Sequence, residues 1–223
     1  MPEAELDVQA IAERVRQVRR RVEMAGGDPD AIEIVAATKR QPPAICRAAL
    51  AAGLTALGEN RVQEALAKMP EVPDASWHLI GNLQSNKVKH ASRFQLLQSL
   101  DSLRLAEALG QLSAAPPGLL QVNVAREPQK HGVLPEVAVA TAVAMAELIE
   151  LRGFMAMGAG GALAQPSFQE LRRLRDETEQ RLGRPLPVLS MGMSGDLEAA
   201  VRAGSTMLRL GAVFFGPRSL EQR

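Results

Sequence analysis

Two rhythms of apolar and polar residues take turns along this chain. Short apolar runs at residues 32–37, 55–57, 77–80, 94–97, 119–124, 148–154, 187–189 and 207–210 have the length and flanks of buried strands. Between them, residues 42–52, 61–68, 87–93, 102–113, 135–146, 168–182 and 195–203 place apolar side chains at helical spacing. One more helix precedes the first run. Across residues 6–25, Ile11, Val15, Val18 and Val22 fall on one face, Gly26 and Gly27 stop the helix, and Asp28-Pro29 supplies a turn. Ser219 would begin a final helix.

Strict alternation of strand and helix implies right-handed crossovers and a parallel sheet. Eight such units in a chain of 223 residues predict an α/β protein, a single (β/α)8 TIM barrel with an extra N-terminal helix. The helix and turn occupy residues 1–30 and the barrel residues 31–218. An open doubly wound sheet shares this periodicity, which by itself does not report closure. The Pro- and Gly-rich stretches at 115–118 and 158–166 are loop-sized, and no repeat of fixed period divides the chain, so one domain spans 1–223.

Composition narrows the function classes. At 46% apolar residues the chain can bury one large core. Twenty-six basic and twenty-five acidic side chains leave a net charge of +1, which gives no long-range attraction for nucleic acid or an anionic membrane. Arg14, Arg16, Arg19, Arg20 and Arg21 cluster on the first helix and read as its solvated face. A single cysteine, Cys46, excludes an internal disulfide and a cysteine-based metal framework, and fits a reducing cytoplasm. Residues 1–30 mix acids with arginines and lack an apolar h-region, so neither a signal nor a transit peptide is expected. No apolar run is long enough to span a bilayer. There is no tyrosine.

In a barrel of this kind the loops after the strands build the site, with phosphate commonly bound after strands 7 and 8. The unusual polar residues fall there: Thr38-Lys39 after strand 1, Gly58-Glu59-Asn60 after strand 2, Gly81–Gln84 after strand 3, Asn123 after strand 5, and LSMGMSGD and LRLGAVFFG at strands 7 and 8. A lysine at a strand end inside a barrel mouth loses part of its water, which favours the neutral, nucleophilic amine. A plain surface lysine is the competing reading of Lys39. Residues 190–196 supply small side chains with Ser194 at the expected start of a helix, where free N–H groups can hold an anion; an ordinary N-cap is the other reading. Gly211 offers a second close approach of backbone to ligand, and Arg209 lies on the strand between the two. Phosphate at strands 7 and 8 with a lysine at strand 1 points to a phosphorylated aldehyde.

Other motifs carry less. GAGG at 158–161 lacks the third glycine of a dinucleotide fingerprint, GMSGD is not a hydrolase nucleophile elbow because Asp196 stands where glycine is needed, and no Walker motif or metal-spaced triad is present. His78 reads either as a satisfied core histidine or as a cofactor contact. Cys46 reads as packing, and Met155, Met157, Met191 and Met193 as the lining of the barrel mouth.

Five segments carry a family resemblance: IVAATK (34–39), LGENRVQE (57–64), WHLIGNLQSNK (77–87), VNVAREPQKHG (122–132) and LSMGMSGDLEAAVRAGSTMLRLGAVFFG (189–216). From residue 6 to residue 218 the chain resembles the pyridoxal phosphate homeostasis proteins (the YggS/PROSC family), which are similar to the barrel domain of alanine racemase. The resemblance implies that the cofactor is pyridoxal 5′-phosphate (PLP), held by Lys39 as a Schiff base. It places Ser194, Gly211 and Ala212 on the phosphate, Arg209 opposite the pyridine nitrogen, and Asn60 and His78 on the ring pocket. Lys130 matches a family lysine implicated in handling or transferring the cofactor. Two departures stand out: Arg61 takes the place of a common tyrosine, removing a ring contact, and Gly158 that of a proline after the sixth strand, a change expected to affect only the loop.

A two-base racemase needs a tyrosine from an added domain of its partner subunit. This chain has no tyrosine and ends a few residues past the barrel. A cation at the pyridine nitrogen also weakens the ring as an electron sink. Reversible imine exchange then remains: a cytoplasmic monomer, not an enzyme, that stores PLP and passes it to apo PLP-dependent enzymes by transimination to Lys130 or to a recipient's lysine, with no role for nucleic acid or membrane. A residual PLP-dependent amino-acid racemase, a lysine-dependent aldolase acting on sugar phosphates, and a purely structural barrel are the rival readings. Amino-acid turnover, borohydride trapping only with substrate, and a colourless unreactive protein would respectively reveal them.

Overall fold

The computed structural model describes residues 8–216. Helix α1 (Val8–Met24) buries Ile11, Val15, Val18 and Val22, the stripe expected from their spacing. Eight strands follow: β1 (Glu33–Ala37), β2 (Ala56–Glu59), β3 (Ser76–Leu79), β4 (Leu96–Leu100), β5 (Gly118–Gln121), β6 (Leu151–Met155), β7 (Val188–Ser190) and β8 (Met207–Leu210). Every neighbouring pair is parallel, and β8 returns to β1 with Val35 opposite Arg209 and Ala36 opposite Leu210. The barrel is therefore closed, which excludes the open-sheet reading.

Helices α2 (Pro43–Ala51), α3 (Val62–Lys68), α4 (Leu103–Gly110), α5 (Pro135–Ala146), α6 (Ala164–Leu182), α7 (Leu197–Arg202) and α8 (Ala212–Phe215) lie between or after the strands. Three expectations shift. The segment after β3 is a 3-10 helix, Ser85–Arg93, rather than an α-helix. Helix α6 starts four residues before residue 168, and α7 starts two residues after 195. A helix beginning at Ser219 lies outside the described residues; within them, α8 is a single turn.

Helix α1 packs on the outside of the barrel against α2, α7 and α8. The arginine cluster on α1 is accordingly not all solvated. Arg16 and Arg20 pair with Glu13 on the exposed face, but Arg21 reaches Glu198 of α7 at 2.7 Å and the Ser194 carbonyl at 3.2 Å. Arg14 donates to the Phe214 carbonyl of α8.

Side chains alternate across each strand, so every second residue enters the barrel. Val35, Ala56, Leu96, Leu119, Met155 and Met207 form the apolar part of that interior. The larger core lies between strands and helices, around Leu57, Leu79, Phe154, Phe168 and Leu208. The interior also buries Gln98, His78, Ser190 and Arg209. Burying this many polar groups is costly unless each finds a partner.

Candidate functional site

The strands end at a cavity of about 340 Å³ in the barrel mouth. Lys39 lines it from the loop after β1, Asn60 and Arg61 from the loop after β2, Gln121 from β5, Met193 from the loop after β7, and Arg209 from β8. Three of the sequence candidates, Lys39, Asn60 and Arg209, thus meet on one wall system.

Both chain neighbours of Lys39 are held. Lys68 donates to the Thr38 carbonyl at 2.9 Å, and the Thr38 hydroxyl donates to Glu59 Oε1 at 2.7 Å. On the other side, the Arg40 amide donates to Glu64. Arg40 itself has φ of 62°, a left-handed conformation that turns the chain sharply after the lysine. Lys68 bridges the two acids at 2.7 Å each. Burial works against its ammonium, but the hydrogen bonds to Glu59 and Glu64 outweigh this and push its pKa above the usual lysine value. Burial raises the pKa of Glu59, whose Oε2 has no partner among the described residues.

Arg209 is 6% exposed. It donates to Ser190 Oγ at 2.6 Å and to the Ala156 carbonyl at 2.9 Å. Burial lowers its pKa to about 10, against the opposing charge of Asp196, and it is still a cation at neutral pH.

The mouth needs close backbone approach. A Cβ on Gly81 would sit 2.3 Å from the Asn60 carbonyl oxygen, so only glycine lets the loops after β2 and β3 touch at the cavity wall. Gly192, with φ of 101°, starts the turn after β7. In that turn the N-cap of α7 is Asp196, whose carboxylate accepts from the Met193 amide at 2.6 Å, and not Ser194. Ser194 stands in the preceding turn, where its amide and that of Gly195 have no acceptor among the described residues. Ser194, Gly211 and Ala212 adjoin the wall residues Met193 and Arg209 along the chain but do not themselves line the cavity.

His78 does not line it either. It lies deeper in the barrel, 3% exposed, with Nδ1 2.9 Å from Gln98 Nε2 and Nε2 3.3 Å from Ser76 Oγ. Burial lowers its pKa to about 4. Asn123 is likewise occupied elsewhere, donating to the carbonyls of Glu127 and Lys130 and so shaping the loop after β5. Lys130 faces a neighbouring groove, where it contacts Glu127 at 2.8 Å and the Gly158 carbonyl at 2.9 Å; Met193 lines both that groove and the mouth cavity. Gly158 matters for more than loop shape, since a Cβ there would come within 2.5 Å of the Phe168 ring.

Sequence reading missed Gln121 and His131, which also line the mouth and are joined by a 2.9 Å bond from the Gln121 amide to the His131 carbonyl. A glutamine closing an apolar strand was the available signal. Arg61 also lines the cavity, so the place of the family tyrosine is taken by a cation at the rim.

With this geometry established, comparison with known proteins is decisive. The family described as alanine racemase, N-terminal domain, matches residues 6–219. The pyridoxal phosphate homeostasis protein of Pseudomonas aeruginosa is 42% identical over 93% of this chain and 94% of its own.

The chain belongs to the pyridoxal phosphate homeostasis protein family.

The family member from Aquifex aeolicus is 35% identical, with 92% of this chain and 95% of its own covered. Among solved structures, PipY of Synechococcus elongatus PCC7942 with PLP bound superposes at a TM-score of 0.79 and 35% identity, covering 92% of this chain and all of PipY. No helix among the described residues is long and apolar enough to cross a membrane. No group of three or more His, Cys, Asp or Glu residues among them could hold a metal ion.

Proposed function

We propose that this protein serves intracellular PLP homeostasis, binding the cofactor in the mouth cavity and releasing it to apo PLP-dependent enzymes without catalytic turnover. The observation that carries this reading is that Lys39, two residues past the end of β1, and Arg209, on the neighbouring strand β8, line one cavity. The residues fit the group. A buried cation suits an acceptor nitrogen, and the amides of Ser194 and Gly195, with the first amides of α8 after Gly211 and Ala212, suit a phosphate. Asn60 and Arg61 border the same space, and His78 supports it from below.

Bound PLP supplies an aldehyde that forms reversible imines. Lys39 would condense with it, losing water, to give the Schiff base. In transimination a second amine adds to the same carbon, and the Lys39 amine leaves after a proton passes between the two nitrogens. The second amine is a recipient's lysine. A carrier needs only this exchange. A two-base racemase would need an additional base, and the chain has no tyrosine for that role. The same reading has the protein act as a cytoplasmic monomer.

The test is the visible spectrum of purified protein with PLP, for wild type and Lys39→Ala, followed by borohydride reduction and peptide mapping. The imine band and its reduced adduct should be present at Lys39 and lost in the variant. An unchanged band, or an adduct on another lysine, would refute the assignment. Racemisation of alanine by the loaded protein would refute the absence of turnover.

A further inference from the structure

A continuous line of hydrogen bonds crosses the barrel interior below the cavity. Arg209 Nη1 lies 2.6 Å from Ser190 Oγ, and Ser190 Oγ lies 2.6 Å from Gln98 Oε1. Gln98 Nε2 lies 2.9 Å from His78 Nδ1, and His78 Nε2 lies 3.3 Å from Ser76 Oγ. These residues come from β8, β7, β4 and β3, so the Ser190–Gln98 step joins opposite walls of the barrel. Gln98 and Ser190 are wholly inaccessible to water or nearly so, and His78 and Arg209 are buried.

The chemistry of its first member sets the direction of this line. A guanidinium only donates, so Ser190 must accept from it and pass its own single proton onward. Gln98 therefore presents oxygen to Ser190 and its NH₂ to the imidazole. Nδ1 of His78 must then be the acceptor, and the ring proton belongs on Nε2, toward Ser76. Glu33 Oε1, 4.0 Å from Nε2, is the one carboxylate recorded in ion-pair range of the ring among the described residues. The remaining Gln98 N–H has Met207 Sδ at 3.2 Å. A purely apolar interior would fill this space at less desolvation cost, so the line calls for a role beyond packing.

We infer that His78 and Gln98 are positioning residues that orient Arg209 toward the cavity through Ser190. This deepens the proposed function and rests on it for the identity of the ligand. His78 then acts without touching that ligand, two side chains removed from the guanidinium. Only one tautomer and one amide orientation satisfy every member, so the line has a single arrangement and the guanidinium a single pose.

The test combines PLP titration with nitrogen NMR of the imidazole. Gln98→Met keeps side-chain length but removes both polar ends, and His78→Leu removes the acceptor. Each should weaken PLP binding roughly ten-fold, the scale of one or two lost hydrogen bonds, and shift the visible absorption maximum of the bound cofactor. His78→Asn, which returns an acceptor near the Nδ1 position, should recover most of the loss. The double variant Gln98→Met/His78→Leu should be little worse than either single one, because both cut the same line. Additive losses, or no rescue by asparagine, would overturn the inference. The NMR arm works even if PLP does not bind. Wild type should show the Nε2–H tautomer, and Ser190→Ala, altered at the far side of Gln98, should disturb it. An undisturbed signal would overturn the line itself, whereas a missing imine band in wild type would overturn only the proposed function.

Discussion

Lys68 Nζ lies 2.7 Å from Glu59 Oε1, and both side chains are buried beneath the loop that carries Lys39. Through this pair the residues on either side of Lys39 are tied to β2 and α3, while Lys39 itself lines the cavity. An amine on a rigid base would have less freedom to lose in the imine proposed for Lys39.

Lys68→Met should therefore do two things. It would leave Glu59 and Glu64 without their common cation, a loss of about 3–5 kcal/mol for a broken buried pair, read by urea unfolding. In the fraction that remains folded, the rate of imine formation with PLP should fall several-fold, read by stopped-flow absorbance. Unchanged stability and rate would show that the cluster is not a clamp.

Gly81→Ala tests the close approach of the loops after β2 and β3. The added methyl meets the Asn60 carbonyl, which is backbone and cannot rotate away. The expected cost is about 1–3 kcal/mol, with weaker PLP binding because Asn60 must move. Gly160→Ala is the control: a Cβ there meets nothing within 4 Å, and stability should hold or rise slightly. Thermal melts of the two variants decide it.

His78 predicts a pH dependence of stability. Burial lowers its folded pKa to about 4 from 6.5, so the unfolded chain takes up a proton first as the solution is acidified. The stability linked to this residue is complete above pH 6.5, falls as pH drops toward 4, and changes no further below that. The total is on the order of 3 kcal/mol. Glu33 and Glu59, both with raised pKa values, act in the opposite sense at low pH, so the measurement is the difference in slope between wild type and His78→Asn. Equal slopes would contradict the buried neutral imidazole.

Lys130→Ala should leave the imine band and PLP affinity within about two-fold of wild type, since Lys130 sits in the neighbouring groove on Glu127 and Gly158. Its partly exposed ion pair is worth at most about 1 kcal/mol. Titration of the variant with PLP checks this. A lost band would mean that the amine leaves its groove to enter the mouth.

Much of this was legible in the residues. Lys39 follows an apolar run and Arg209 interrupts one, and both anomalies report a strand end or interior where polarity has a purpose. The stripe Ile11, Val15, Val18 and Val22 marked α1 as buried on one side, but not its target, because that target is assembled from α2 and, far from it in the chain, α7 and α8. Ser194 was misplaced as a helix start because serine and aspartate are both good N-caps, and the local pattern of residues 190–196 does not choose between them. His78 and Lys130 carried the right chemistry for a cofactor pocket, yet which way each one faces depends on strand pairing and loop path.

By itself the sequence determined the order of strands and helices, the parallel sense of the sheet, and the residues whose polarity does not suit burial, because these depend on periodicity and local chemistry. Tertiary structure alone decided closure through β1 and β8, the shared cavity of Lys39 and Arg209, and the path linking Arg209 to His78. Residues 98 and 190 are 92 positions apart, and no local pattern encodes a bond between opposite walls of a barrel; only the register of all eight strands brings those side chains within reach.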